Sequence, residues 1–140
     1  MTVADDGTID TLLAFLTTTC GSCQPFWEMM ADPGFSSTLG ARLVIVTPSR
    51  SMEDERRARE LLPEGAYLHM GSETWFEYGV ATSASFVLVR SKPGGREPWQ
   101  QAGRVLGSAS AKDPGELREL VRRWQAAAMD RSGNPDRSGA

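Results

Sequence analysis

The stretch T-T-T-C-G-S-C-Q-P-F-W, residues 17–27, lies between an apolar run and a segment of helical character. The run, residues 9–16, is typical of a buried strand. Residues 26–31 are predicted to be helical, and Pro25 suits the first turn, where backbone N–H groups have no partners within the helix. A cysteine at such a strand-to-helix junction lies near the positive end of the helix dipole, which stabilises a thiolate. The stretch therefore predicts a redox site.

Cys20 and Cys23 are the two cysteines of this 140-residue chain, which has one histidine. Without further ligands these three residues do not complete the four positions of a structural zinc site. A c-type haem would require a histidine directly after Cys23, where the sequence has Gln24. We therefore expect redox thiols with no metal and no cofactor. The alternative is a pair of inert buried thiols or a structural disulfide, whose short loop would add little stability.

Charge and apolar patterning argue against nucleic-acid binding and against a membrane-spanning helix. The net charge is −3, and the arginines lie among acidic residues, so we expect no nucleic-acid binding. No apolar run reaches the roughly 18 residues of a transmembrane helix. Residues 1–20 also lack the basic segment and cleavage site of a signal peptide. We expect a soluble chain that meets a membrane only through an anchor absent from this sequence.

The remaining pattern alternates strands with helices. Strands are predicted at 9–16, 42–47, 66–69, 85–90 and 99–106, the last after a turn at Pro93-Gly94-Gly95. Helices are predicted at 26–31, from Asp32 to Gly40, from a cap at Ser51, at 72–78, and from Asp113 and Pro114 onward. This order predicts an α/β fold with a central mixed sheet and helices on both faces. We expect one domain at 9–128, a flexible N-terminus at 1–8 and a disordered tail at 129–140.

Two helices have more detailed predictions. In the helix capped by Ser51, Glu53 should pair with Arg57, and Glu55 with Arg59. In the last helix, an apolar stripe should pack on the sheet; it consists of Leu117, Leu120, Val121 and Trp124. The cysteines should lie at the carboxyl end of the first strand, where open α/β sheets place their sites.

Over residues 9–127 the chain resembles the thioredoxin superfamily, and within it the TlpA-type and methylamine-utilisation-type thioredoxin-like proteins. The matching segments are L-L-A-F-L-T-T-T-C-G-S-C (12–23), V-I-V-T-P-S (44–49), Y-G-V-A-T-S-A-S-F-V-L-V (78–89) and the closing strand and helix. The resemblance implies a thioredoxin-like fold and a thiol:disulfide oxidoreductase acting on client protein thiols or disulfides together with a redox partner protein. It also implies a membrane-tethered domain outside the cytoplasm, with a cytoplasmic location as the alternative.

In such proteins the first cysteine attacks a disulfide and the second resolves the mixed disulfide, which implies these roles for Cys20 and Cys23. Cys20 precedes the helix, so it should be the more exposed thiol with the lower pKa, and Cys23 should be more buried. Substrate contact is expected at the surrounding residues, namely Thr19, Gly21, Ser22, Trp27, Ser83 and Ala84. Ser22 is expected to hydrogen-bond a sulfur, and Trp27 to lie near the surface.

Three positions depart from the family pattern. Ala84 replaces a cis-proline that faces the cysteines, and we expect the Ser83–Ala84 peptide to be trans because a cis bond before a non-proline costs about 2.5–4 kcal/mol. Ala14 replaces a buried acid that helps to deprotonate the second cysteine. Thr19 replaces an aromatic residue that would contact partners.

These departures keep two alternatives to the enzyme open. One is a non-catalytic binding or assembly module that uses the fold as a docking surface. The other is a metal or iron–sulfur site bridging two chains through Cys20 and Cys23. His69, the single histidine, lies far from the cysteines in the sequence and is interpreted as a surface or hydrogen-bonded residue rather than a catalytic base.

Overall fold

The computed structural model describes residues 9–91 and 104–133. The elements in chain order are β1 (Ile9–Phe15), a single 3-10 turn (Gly21–Cys23), α1 (Gln24–Met30), α2 (Pro33–Leu39), β2 (Arg42–Thr47), α3 (Glu55–Leu61), β3 (Tyr67–Met70), α4 (Ser72–Glu77), β4 (Ser85–Ser91), β5 (Arg104–Ser110) and α5 (Pro114–Gly133). The predicted flexible N-terminus, the turn at residues 93–95, the start of the predicted strand 99–106 and the last residues of the predicted tail lie outside the described residues.

The five strands form one mixed sheet in the order β3-β2-β1-β4-β5. Strand β2 runs parallel to β1 and β3, whereas β4 runs antiparallel to β1 and β5. Side chains alternate across the sheet because successive residues of a strand point to opposite faces. Every residue of β1 is buried, so both faces of the central strand are covered.

Helices cover both faces of the sheet, as predicted. On one face, Leu12, Ala14 and Phe86 pack with residues of α1, α2 and α5, and the Phe26 and Phe86 rings are 4.9 Å apart. The apolar stripe of α5 belongs to this cluster: Leu117 and Val121 are buried in it, and Leu120 and Trp124 pack against it. On the other face, Leu13, Phe15, Val44, Val46, Val87 and Val89 form a second cluster against Trp75, Tyr78 and Val80.

The ends of two helices follow the sequence prediction. The Asp32 side chain accepts a hydrogen bond from the Gly34 N–H at 3.0 Å, and α2 ends at Gly40, whose positive φ of 72° suits glycine. At the start of α5 the Glu116 N–H donates to Asp113 at 2.9 Å. The Glu116 carboxylate accepts from the Lys112 N–H at 2.9 Å, so backbone donors on both sides of this helix start are satisfied.

The predicted start of α3 is wrong. The helix begins at Glu55 rather than after Ser51, and Asp54 is its cap, accepting from the Arg56 and Arg57 N–H groups. The predicted pair of Glu55 and Arg59 is present at 3.0 Å. Glu53 lies before the helix and bonds elsewhere, so the predicted pair of Glu53 with Arg57 does not form.

Two other element ends differ from the prediction by more than two residues. Strand β5 continues past Leu106 to Ser110, because Ser110 pairs with Ser85 at the far end of β4. Helix α5 continues to Gly133, so residues 129–133, the first part of the predicted tail, are helical. In the described ranges, no helix combines the length and the apolar character needed to cross a membrane.

A buried ion pair lies at the amino end of β1. Arg90 faces Asp10 across the β1–β4 pair, with Nε 2.8 Å from Oδ1 and Nη2 3.1 Å from Oδ2. Gln125 of α5 donates to the same carboxylate at 3.2 Å and to the Gly40 carbonyl at 3.2 Å. The group therefore fixes α5 to the sheet at the end opposite the cysteines.

Candidate redox site

The cysteines lie where β1 ends and α1 begins. Because β1 and β4 are antiparallel, Phe15 at the end of β1 pairs with Ser85 at the start of β4, and this register brings Ser83 and Ala84 to the cysteines. Because β1 and β2 are parallel, Phe15 also pairs with Val46, so the loops after both strands meet at the same edge. Three segments therefore meet at the site: the loop after β1, the residues just before β4 and the loop after β2.

The two thiols differ in exposure. Cys20 is partly exposed, while Cys23 is fully buried at the start of α1. The Cys23 N–H donates to the Cys20 carbonyl at 3.1 Å, which closes the turn between them. Solvent can therefore reach Cys20 but not Cys23, which agrees with the predicted difference in burial.

Hydroxyl groups hold the pKa of Cys20 at about 6, below its ordinary value of 9.0. The largest contribution comes from Ser22, whose Oγ lies 2.9 Å from the Cys20 Sγ. The Ser83 hydroxyl contributes next, and the partial burial of the thiol opposes both. A hydroxyl that donates to sulfur favours the thiolate, so Cys20 is largely ionised at neutral pH. The predicted hydrogen bond from Ser22 to a sulfur is present.

The pKa of Cys23 moves in the opposite direction. Burial raises it above 9.0, against hydrogen bonds from the Thr17 backbone and the Ser83 hydroxyl that favour the thiolate. The neighbouring Cys20 raises it further. Cys23 is therefore a protonated thiol when Cys20 is a thiolate.

The Ser83 hydroxyl hydrogen-bonds both sulfurs, and each of these hydrogen bonds favours the thiolate form. The peptide bond that follows it, Ser83–Ala84, is cis, so the prediction of a trans bond is wrong. That prediction used the preference of an isolated peptide bond, which takes no account of the surrounding fold. Ala84 itself is buried, with 4% of its surface exposed.

The loop before Cys20 hydrogen-bonds both Cys20 and Trp27 through Thr17. The Cys20 N–H donates to Thr17 Oγ1 at 3.1 Å, and the Trp27 Nε1–H donates to the Thr17 carbonyl at 3.0 Å. Trp27 is only 2% exposed, so the expectation that it lies near the surface is wrong. Its indole N–H finds a partner in the loop, which allows the whole side chain to be buried. Trp27 thus supports the loop from within the core.

Glu53 is a residue of this site that the sequence did not reveal. Its Oε2 accepts from the Thr18 N–H at 2.9 Å, and its Oε1 accepts from the Thr18 hydroxyl. The available signal was its place shortly after β2, since loops at the carboxyl ends of neighbouring parallel strands meet at one edge. The charge pattern favoured a helical pair with Arg57 instead.

Comparison of whole folds identifies the architecture. No family model and no curated protein matches the sequence. A secreted Mycobacterium tuberculosis disulfide oxidoreductase homologous to DsbE of E. coli matches with a TM-score of 0.56 at 15% identity, covering 82% of this chain and 81% of that chain. StoA from Bacillus subtilis matches with a TM-score of 0.56 at 16% identity, covering 84% and 82% of the respective chains.

DsbE from Chlorobium tepidum, named a thiol:disulfide interchange protein, matches with a TM-score of 0.55 at 18% identity over 89% of this chain and 83% of that chain. The fold is that of the thioredoxin superfamily. The resemblance noted in the sequence is therefore confirmed for the fold.

The other predicted site residues differ in exposure. Thr19, Gly21 and Ser22 are exposed around Cys20, and Ser83 is half-buried beside it. Ala14 is fully buried in β1 and supplies no carboxylate to the thiols.

His69 lies apart from the thiol site. It is on edge strand β3, and its Nε2 is 2.9 Å from the buried Thr74 hydroxyl, as expected of a hydrogen-bonded histidine. Within residues 9–91 and 104–133, no cluster of three or more His, Cys, Asp or Glu side chains is arranged to bind a metal ion.

Proposed function

We propose that this chain is a thiol:disulfide oxidoreductase that uses Cys20 and Cys23 on protein cysteines. The observation that carries the proposal is the contrast between a partly exposed Cys20, with a pKa of about 6, and a fully buried Cys23, whose pKa is raised. Thiol–disulfide exchange needs an accessible thiolate for the first attack and a second thiol held close for the next.

In the reducing direction, the Cys20 thiolate attacks one sulfur of a client disulfide. A bond forms between Cys20 and that sulfur, and the other client sulfur leaves as a thiolate and takes up a proton. Cys23 then loses its proton and attacks Cys20 Sγ. The second client sulfur leaves, the Cys20–Cys23 disulfide remains, and two electrons have passed to the client. The oxidising direction is the same sequence in reverse.

Residues around Cys20 are proposed to contact the client. Thr19, Gly21 and Ser22 are exposed beside the attacking sulfur, and the half-buried Ser83 lies beside it just before β4. Ala84 is buried, so we propose that it acts on the client only by supporting Ser83. Because Trp27 is buried, we propose that it acts on the client only by supporting the Thr17 carbonyl. A separate redox partner protein would return the cysteine pair to its starting state.

Reduction of insulin disulfides with dithiothreitol as electron source tests the proposal. We expect turnover above dithiothreitol alone for the wild-type chain, none for Cys20→Ser, and a persistent mixed disulfide with insulin for Cys23→Ser. Glu60→Gln, an exposed change on α3, is the matched control and should keep wild-type turnover. Wild-type turnover no faster than dithiothreitol alone would contradict the enzyme.

The alternative is a non-catalytic binding or assembly module. It is favoured by Ala14, a buried position where an acid would assist deprotonation of Cys23. This alternative predicts no insulin turnover and partner binding that persists in Cys20→Ser.

The location is also a proposal. We propose that the domain acts outside the cytoplasm, tethered to a membrane through a segment outside this chain, with a cytoplasmic location as the alternative. One structural neighbour is described as secreted, which supports the first location. A fusion of the full gene product to a reporter active only outside the cytoplasm tests it: activity supports the proposal, and an inactive but intact fusion contradicts it.

A further inference from the structure

Glu53 carries a buried carboxylate at the thiol end of the sheet. Only 8% of the residue is exposed, and both oxygens are engaged: Oε2 accepts from the Thr18 N–H at 2.9 Å, and Oε1 accepts from the Thr18 hydroxyl and from the Asp54 N–H at 3.1 Å. A carboxylate is removed from water at a high cost unless donors replace its hydration. Two of its three donors belong to a single residue of the loop before Cys20.

That loop determines the surroundings of both cysteines. The Thr17 hydroxyl accepts from the Cys20 N–H at 3.1 Å, and the Thr17 backbone hydrogen-bonds the Cys23 sulfur. Thr18 follows Thr17 directly, so a displacement of Thr18 shifts the Thr17 groups. The position of Thr18 therefore affects the backbone of Cys20 and the sulfur of Cys23.

Glu53 is the one of the two buried carboxylates among the described residues that lies at the thiol end of the sheet. Asp10 is also buried, but it lies at the amino end of β1 and faces Arg90 and Gln125. Ala14 places no acid near the thiols from β1 itself. Glu53 lies in the loop after β2 and hydrogen-bonds Thr18 in the loop before Cys20.

We propose that Glu53 is a positioning residue for the thiol pair: it fixes Thr18, and through Thr18 it holds the loop of residues 17–19 in place beside both cysteines. This role matters for catalysis only if the proposed function is correct. The effect on the two thiols can still be measured in the protein without a client. Glu53 does not touch Cys20, and it acts through hydrogen bonds to the loop.

The test measures the rate of Cys20 alkylation by iodoacetamide against pH in the reduced chain. In Glu53→Ala all three hydrogen bonds are lost, and the released loop should let Cys20 move away from the Ser22 and Ser83 hydroxyls that stabilise its thiolate. We then expect the Cys20 pKa to rise by about one unit, so that alkylation at pH 6 slows roughly fivefold. In Glu53→Gln one amide oxygen still accepts from the loop, so part of the effect should be rescued. Thr18→Val keeps the backbone donor and should have a smaller effect than Glu53→Ala. Glu60→Gln is the matched control and should match wild type.

A purely structural role would lower the melting temperature of these variants without moving the alkylation profile. Unchanged profiles in folded Glu53→Gln and Thr18→Val would overturn the proposal, and these two mild variants decide it if Glu53→Ala does not fold. The alkylation test needs no client. A failure of insulin turnover in the wild type would therefore refute the proposed function separately, and normal turnover with unchanged profiles would refute only the role of Glu53.

Discussion

The Oγ of Ser22 lies 2.9 Å from the Sγ of Cys20, and this is the largest influence that lowers the pKa of that thiol. The contact is local, since the two residues are neighbours in one turn. Ser83 hydrogen-bonds the same sulfur from the segment just before β4, which is distant from Cys20 in the sequence. The reactivity of Cys20 therefore depends on one contact within the motif and one supplied by the fold.

Ser22→Ala should raise the pKa of Cys20 and leave Cys23 protonated. Loss of one hydrogen bond to a charged group is worth about 1.5 kcal/mol, or about one pKa unit. The alkylation rate of Cys20 at pH 6 should fall roughly fivefold while the rate at pH 10 stays unchanged. Ser51→Ala is a matched control on an exposed loop. An unchanged pH profile in Ser22→Ala would show that the hydroxyl does not stabilise the thiolate.

Ser83→Ala should affect both thiols, because its hydroxyl contacts both sulfurs. Loss of this donor destabilises the reduced form, so the cysteine pair should become more reducing, by about 30 mV for each 1.4 kcal/mol lost. Equilibration with glutathione buffers, followed by mass spectrometry, measures the potential. A more oxidising couple in Ser83→Ala would contradict this role.

The stability of the reduced protein should depend on pH through Cys20. Its pKa is about 6 in the folded chain and 9.0 ordinarily, so the folded state releases its proton first. The stabilisation from Cys20 is fully present above pH 9 and is lost as the pH falls through about 6. Urea unfolding at several pH values should therefore show wild type gaining stability over Cys20→Ser between pH 6 and pH 9. A constant difference between the two proteins would contradict the lowered pKa.

Asp10→Ala should destabilise the fold without changing the thiols. Asp10 and Arg90 form a buried pair at 2.8 Å, at the end of β1 away from Cys20, and breaking such a pair costs about 3 kcal/mol or more. Urea unfolding measures this loss, and the alkylation profile of Cys20 should stay that of the wild type. A changed profile in a folded variant would mean that the two ends of β1 are coupled.

The sequence predicted the parts of this structure that depend on local pattern. Residues close together in the chain determine the buried run of β1, the cap at Asp32 and the stripe of α5. The difference in exposure between Cys20 and Cys23 also follows from their local sequence. Burial of Trp27 was missed because its hydrogen-bond partner, the Thr17 carbonyl, is a backbone group that no side-chain pattern indicates.

Contacts between distant segments account for the other misses. Glu53 looked like a helix residue because Arg57 stands four positions later, yet its donors come from Thr18, which is 35 residues away. The roles of Ser83 at both sulfurs likewise depend on the antiparallel register of β1 and β4. Such pairings require the topology of the sheet, which a single sequence gives only in outline.

The most direct test is the order and pH dependence of alkylation in the reduced wild-type chain, with each cysteine followed by mass spectrometry. We expect Cys20 to react first, with a midpoint near pH 6, and Cys23 to react later and only at higher pH, because burial raises its pKa and shields it from the reagent. Modification of Cys23 first, or a Cys20 midpoint near pH 9, would contradict the account of an exposed thiolate backed by a buried thiol.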